Sequence, residues 1–184
     1  MKCLKNISII KPPNLVEFCF FKRNAFVSKQ NSYVGLVFKG DKMEGLEDVY
    51  NEIIMEHSMN SYNKRKLAKA DFCQMGHNPN CGDEISIELK INGNVIEDIA
   101  FTGHGCAISQ ASTSIMIDTL KGKTIEEAKE IIKTFIAMIK REEQPEEKLE
   151  TLEDAIALKN VSNMPARVKC ALLAWHTFEN MINS

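Results

Sequence analysis

Cys81, Cys106 and Cys170 are the residues of this chain best placed to do chemistry. Each falls at the end of a predicted element. Cys81 lies in the turn Asn78-Pro79-Asn80-Cys81-Gly82-Asp83, Cys106 in a glycine-flanked turn at a helix start, and Cys170 in the first turns of the last helix. Cysteines used as core filler do not sit this way. A helix N-terminus offers unpaired N–H groups and a partial positive charge, which favour thiolate over thiol. Cys106 and Cys170 are both expected to benefit. Thiolates gathered at one point repel each other unless a cation joins them, and Zn²⁺ accepts three sulfurs and one carboxylate as a tetrahedron. Asp83 could supply the carboxylate, because residues i and i+2 of an extended strand point to the same side. The spacing alone is a weak zinc signal: Cys-x-Asp, 22 residues, Cys, 63 residues, Cys, with no CxxC pair. Buried inert cysteines account for it equally well. His77 and His104 are near in sequence and could be ligands, although loop histidines with no such role are the plainer reading.

These residues need elements to hold them. Leu46, Val49, Tyr50, Ile53 and Ile54 recur with helical period and predict an amphipathic helix, followed by a polar loop over 58–69. Ile85, Ile87, Leu89 and Ile91 alternate with polar residues, which predicts a half-buried strand. Asn92-Gly93 is a hairpin signal, with Val95–Thr102 returning as a second strand. Ala70–Met75 is expected as a third. After Gly103-His104-Gly105 the pattern turns helical, with Ile108, Ala111, Ile115 and Thr119 on one face and Gly122 closing it. Thr124 and Glu127 form a capping box ahead of the stripe Ala128, Ile131, Ile132, Phe135, Met138, Ile139. Leu149–Leu158 is expected as a short helix. Pro165 suits the first turn of a last helix, whose apolar face is Val168, Leu172, Trp175, Phe178 and Ile182. The order predicts an α+β domain, a small antiparallel sheet of about three strands covered by helices.

The apolar share of 44% and charged share of 26% are those of an ordinary globular chain, which excludes wholesale disorder. A net charge of −2 argues against a nucleic-acid partner, and no apolar run is long enough to span a membrane. The near-neutral total hides a split. Residues 1–42 hold eight Lys/Arg and two Asp/Glu, a net of +6, and residues 43–184 hold 15 and 23, a net of −8. The first segment reads as a poorly ordered basic N-terminal extension, and organelle targeting is its sharper alternative. The second is the folded domain. No secretory signal is evident, so a reducing cytoplasm is expected, where six cysteines point to metal or thiol chemistry rather than disulfides.

Residues 46–184 resemble the NifU/IscU-like iron–sulfur assembly family, and within it the SufU branch. Three motifs in family order carry the resemblance: 78–83 as quoted, Gly103-His104-Gly105-Cys106-Ala107-Ile108-Ser109-Gln110-Ala111-Ser112, and Met164-Pro165-Ala166-Arg167-Val168-Lys169-Cys170-Ala171-Leu172-Leu173-Ala174-Trp175. Lys121-Gly122-Lys123 is a fourth, shorter match. Lys169 stands before the third cysteine, where scaffold members resemble each other in having His. Residues 141–162 resemble the SufU insertion. The chain departs from the family in lacking Asn-Pro after His57, and Cys73 is not a family position.

The resemblance implies a SufE/NifU (IscU-like) fold and one Zn²⁺ held by Cys81, Asp83, Cys106 and Cys170. Cys81 would accept sulfur from the persulfide of a pyridoxal-phosphate-dependent cysteine desulfurase, SufS-like, and pass it to a downstream scaffold or apo-protein. Arg167 and Lys169 would hold the persulfide or contact the partner, their plainer reading being solvated helix charges. The rival implication is a scaffold, with iron or a transient Fe–S cluster on the same residues. A structural zinc module is the third.

Overall fold

The strand pattern of residues 84–91 is realised through Leu89. Within that strand Ile85, Ile87 and Leu89 are buried and Glu84 is exposed, while Ile91 is only half-buried beyond a register shift at Lys90/Ile91. The computed structural model describes residues 44–59 and 61–184, with side chains from Tyr50 onward. The expected basic extension over 1–42, with Cys3 and Cys19, lies outside the described residues. The elements run α1 (Glu44–Met59), β1 (Phe72–Asn78), β2 (Asp83–Asn92), β3 (Val95–His104), α2 (Ala107–Leu120), α3 (Ile125–Ile139), α4 (Glu146–Glu150), a 3-10 segment (Glu153–Asn163) and α5 (Pro165–Ile182). The strands form one antiparallel sheet in the order β1-β2-β3. Helices α2 and α5 cover its apolar face and α3 packs on α5, giving the expected α+β architecture.

Several boundaries differ from the sequence reading, each for a physical reason. Helix α1 runs on to Met59, into the segment expected as loop. Strand β1 begins at Phe72 and continues to Asn78, because Asn78 pairs with Asp83 across the turn that holds Cys81. The β2–β3 loop is Gly93-Asn94, one residue later than Asn92-Gly93, since Asn92 pairs with Val95. Gly93 alone takes positive φ (63°), the pattern of a type II′ turn. Between α4 and α5 the chain makes 3-10 turns in place of the expected helix over Leu149–Leu158. Leu152, Ala155, Leu158 and Val161 are buried at intervals of three, the period of that helix. Leu120–Lys123 is a type II turn, with Lys121 at φ −63°, ψ 130° and Gly122 at the position that requires positive φ, 83°. The capping box of Thr124 and Glu127 is formed in both directions.

Two features set the helices against the sheet. Gly76 on β1 faces α5, where an added Cβ would lie 2.2 Å from Thr177 Oγ1, so only glycine lets α5 approach this closely. Trp175 of α5 stacks on Phe135 of α3 with ring centroids 3.8 Å apart. Its Nε1 donates to Ser112 Oγ of α2 (3.0 Å), and Ser112 Oγ donates to the Ala171 carbonyl (2.7 Å), so both buried polar groups are satisfied. On the far side of α2, His57 of α1 lies 2.9 Å from Ser114 Oγ, which ties α1 to the domain.

Asp98 on β3 accepts hydrogen bonds from Arg65 (2.8 Å) and Lys121 (2.7 Å). Partial burial works against its charge, but the two cations prevail and hold its carboxyl below the usual range. A depressed carboxyl contributes stability above its unfolded value, near 4, and loses it as pH falls through the folded value. We expect Asp98→Asn to cost about 1 kcal/mol in urea unfolding at pH 7, with the gap from the wild type closing in acid below about pH 4.

Candidate metal centre

The turn after β1 is built by one side chain. Asn78 Oδ1 accepts the Asn80 N–H (3.3 Å), an Asx-turn that Pro79 stiffens, and the Asn78 carbonyl accepts from Cys81 N (3.3 Å) and Gly82 N (3.0 Å). Gly82 takes φ 71°, where a side chain would be strained. This turn, rather than strand alternation, brings Cys81 to the same side as Asp83. The Asn78 amide also donates to Asp83 Oδ2 (2.9 Å) and Cys170 Sγ (3.4 Å), joining the turn to α5.

Cys106 is the N-cap of α2, where its Sγ accepts the Ser109 N–H at 3.5 Å. Its own N–H donates to Asp83 Oδ1 at 2.8 Å. Gly105 makes this possible, because a Cβ there would stand 2.8 Å from Asp83 Oδ1. Gly103, with φ 126°, passes so close to β2 that a Cβ would be 2.1 Å from the Glu84 carbonyl oxygen.

The result is convergence. One ligand atom from each of Cys81, Asp83, Cys106 and Cys170 lies within 4.8 Å of the others, the sole such His/Cys/Asp/Glu group among the described residues. Asp83 is fully buried and Cys170 is 1% exposed, while Cys81 and Cys106 are half-buried. Three soft sulfurs and one hard oxygen suit a four-coordinate divalent ion. Burial opposes the Asp83 carboxylate, yet hydrogen bonds from the Cys106 N–H, Cys170, Asn78 and the Cys106 thiol outweigh it and hold it below its ordinary range. Burial, then hydrogen bonds with Asp83, Cys81 and Cys106, push the Cys170 thiol far up. This corrects the expectation that a helix start lowers it. Cys170 is the sixth residue of α5, past the free N–H groups, and desolvation prevails. Collected, buried thiols of this kind need a cation before they can ionise together.

Arg167 Nη1 donates to Cys81 Sγ at 2.9 Å. Contact with Cys170 and the charges of Cys81 and Cys106 strengthen the guanidinium's hold on its proton. Lys169 is exposed and makes no ion pair among the described residues. His77 and His104 are strand residues rather than loop residues. Both pair with Glu84, are exposed, and lie on the sheet face opposite Asn78 and Asp83. Cys73 lies outside the group, with its Sγ 3.5 Å from Ser86 Oγ. The sequence reading assigned no role to Asn78 or Gly105, although both stand inside the quoted motifs. The flanking glycines were the available signal.

The chain combines a three-stranded antiparallel sheet under helices with a Cys/Asp/Cys/Cys group at one end. It belongs to the NifU-like N-terminal domain family, whose model matches residues 49–179. Among its relatives is the zinc-dependent sulfurtransferase SufU of Bacillus subtilis, 41% identical over 73% of this chain and 89% of that protein. The iron–sulfur cluster assembly scaffold protein IscU of Streptococcus pyogenes is 38% identical over 74% of this chain and 84% of its own. Among solved structures, a protein named as an iron–sulfur cluster assembly scaffold for the SUF system, from Fervidobacterium islandicum, matches with a TM-score of 0.68 and 40% identity. That match covers 74% of this chain and 98% of the other. The NifU-like N-terminal domain of Brucella abortus matches with a TM-score of 0.65 and 27% identity, over 75% and 94% of the two chains. Among the described residues no helix is long and apolar enough to cross a membrane.

Proposed function

We propose that this chain is a zinc-dependent sulfurtransferase of iron–sulfur cluster assembly. It takes persulfide sulfur onto Cys81 from a pyridoxal-phosphate-dependent cysteine desulfurase of the SUF system and passes it to a downstream scaffold or apo-protein in the cytoplasm. The observation that carries this reading is the convergence of three sulfurs and one carboxylate with unequal access. Similarity to the Bacillus subtilis sulfurtransferase supports it.

Cys81, Asp83, Cys106 and Cys170 are the residues that would hold the ion, which supplies the positive charge that keeps the thiols ionised at neutral pH. The rest of the chemistry belongs to the chain. Cys81 sits on a four-residue loop, Pro79–Gly82, and is the sulfur able to turn outward. Asp83, Cys106 and Cys170 stay fixed by β2, α2 and α5. The Cys81 thiolate attacks the outer sulfur of the partner's persulfide. A new S–S bond forms at Cys81 as the partner's S–S bond breaks, and the electron pair departs on the partner's cysteine thiolate with no net oxidation. Arg167, already 2.9 Å from Cys81 Sγ, then faces the anionic persulfide.

The scaffold is the second reading, favoured by the names of the Streptococcus pyogenes and Fervidobacterium islandicum relatives. Lys169, which cannot ligate iron as a histidine would, supports transfer instead. Metal analysis of the purified protein together with desulfurase turnover separates the two. We expect about one zinc per chain and turnover raised at least about tenfold, the gain a better sulfur acceptor brings. A stable cluster on reconstitution, passed to an apo-acceptor, with no effect on turnover would favour the scaffold.

A further inference from the structure

The buried α2 serines Ser112 and Ser114 have hydrogen-bond partners on α5 and α1, and the helical threonines bond back to the carbonyl four residues earlier. Thr113, Thr119, Thr134 and Thr177 all do so, at 2.7 to 2.9 Å. Ser109 does neither. It is 1% exposed, and its Oγ has no hydrogen-bond partner. A buried hydroxyl without a partner is costly, so it calls for an explanation.

Its position explains both the orphan and its use. Ser109 is the third residue of α2, after the N-cap Cys106. In a capping box that residue would reach back to the N-cap N–H. Here Asp83 Oδ1 already accepts the Cys106 N–H at 2.8 Å. The cap is satisfied and the Ser109 hydroxyl is left over. It lies at the gap left by the missing side chain of Gly105, where a Cβ would be 3.1 Å from Ser109 Oγ and 2.8 Å from Asp83 Oδ1. Its backbone N–H is already on Cys106 Sγ at 3.5 Å.

We propose that Ser109 is a positioning residue whose hydroxyl donates to Cys106 Sγ once that sulfur is an ionised ligand. The assignment rests on the metal-site reading above and deepens it. Hydrogen bonds to a ligand sulfur draw off its charge and lower its nucleophilicity. Cys106 then carries two donors fixed in a helix, the N–H and O–H of Ser109. Cys170 is shielded by burial. Cys81 has only Arg167, an exposed side chain that can swing away. Three chemically identical ligands thereby become unequal, and sulfur is directed to Cys81.

Alkylation of the zinc-loaded protein with iodoacetamide, followed by peptide mapping, tests this. A thiolate displaces iodide, so the map ranks the three sulfurs. We expect wild-type protein to react at Cys81. Ser109→Ala should raise the share at Cys106 several-fold to about tenfold, the size of one lost charge-assisted hydrogen bond damped by partial bond formation. Cobalt in place of zinc should show the sulfur-to-metal charge-transfer band moved to lower energy in S109A. Ser109→Thr, which keeps a hydroxyl, should behave as the wild type. Metal-free S109A should melt no lower than wild type, because an orphaned hydroxyl is removed. An unchanged alkylation map and band, loss of zinc by S109A, or a lower melting point of its metal-free form each overturn the assignment. A wild-type protein that binds no zinc overturns the metal-site reading and the assignment together, whereas a zinc-binding wild type with an unaltered S109A map overturns only the latter.

Discussion

Cys81→Ala is expected to abolish sulfur acceptance, by at least about a hundred-fold, on the scale of losing a nucleophile. The measurement is the mass gain of one sulfur after incubation with a cysteine desulfurase and cysteine. The size follows from the unequal surroundings of the three sulfurs. Cys170 is 1% exposed, so it cannot meet a partner's persulfide. Cys106 caps α2 and accepts the Ser109 N–H. Cys81, half-buried in the turn after β1, is the one of the three with a guanidinium donor, Arg167. Removing it deletes the attacking atom and one donor to the metal, while the remaining two sulfurs and Asp83 stay in place. Acceptance by the variant at or near the wild-type level would move the acceptor role to another cysteine.

Asp83→Ala is expected to lower zinc affinity by at least about a hundred-fold, more than loss of an outer-shell partner would. It should also destabilise the metal-free fold by about 1–3 kcal/mol, the cost of leaving buried donors unpaired. Both effects have one origin. Asp83 is fully buried, and its two oxygens accept the Cys106 N–H and the Asn78 amide. Without it, the N-cap of α2 loses its anchor and the Asn78 amide keeps only the sulfur of Cys170. Competition with a chromogenic chelator reads the affinity, and urea unfolding of the metal-free protein reads the stability. Full zinc retention by Asp83→Ala would leave the ion with sulfur donors only and end the four-ligand reading.

Much of this was legible in the sequence because local rules decide it. The alternation about Ile85, Ile87 and Leu89 can bury only one face, and Thr124 with Glu127 can cap only one helix start. What was not legible depends on register and desolvation. His77 and His104 were open as ligands until the turn length placed them opposite Glu84. A slip of one residue would have turned them toward the cysteines. The helix end does not lower the Cys170 thiol, because burial of its side chain, which no spacing reveals, outweighs the field of that end. Ala70–Met75 shows little alternation, so the sequence does not mark where β1 starts, and its end follows from the Asn78–Asp83 pair that closes the turn.

Trp175 is the chain's single tryptophan, and its surroundings make it an optical reporter. Its ring is stacked on Phe135 and its Nε1 is bound to Ser112, so its emission belongs to one dry environment. That environment is the seam between α2 and α5, the two helices that carry Cys106 and Cys170. Fluorescence from one residue therefore follows the frame that brings those sulfurs together, with no label attached and no second chromophore of its kind to subtract.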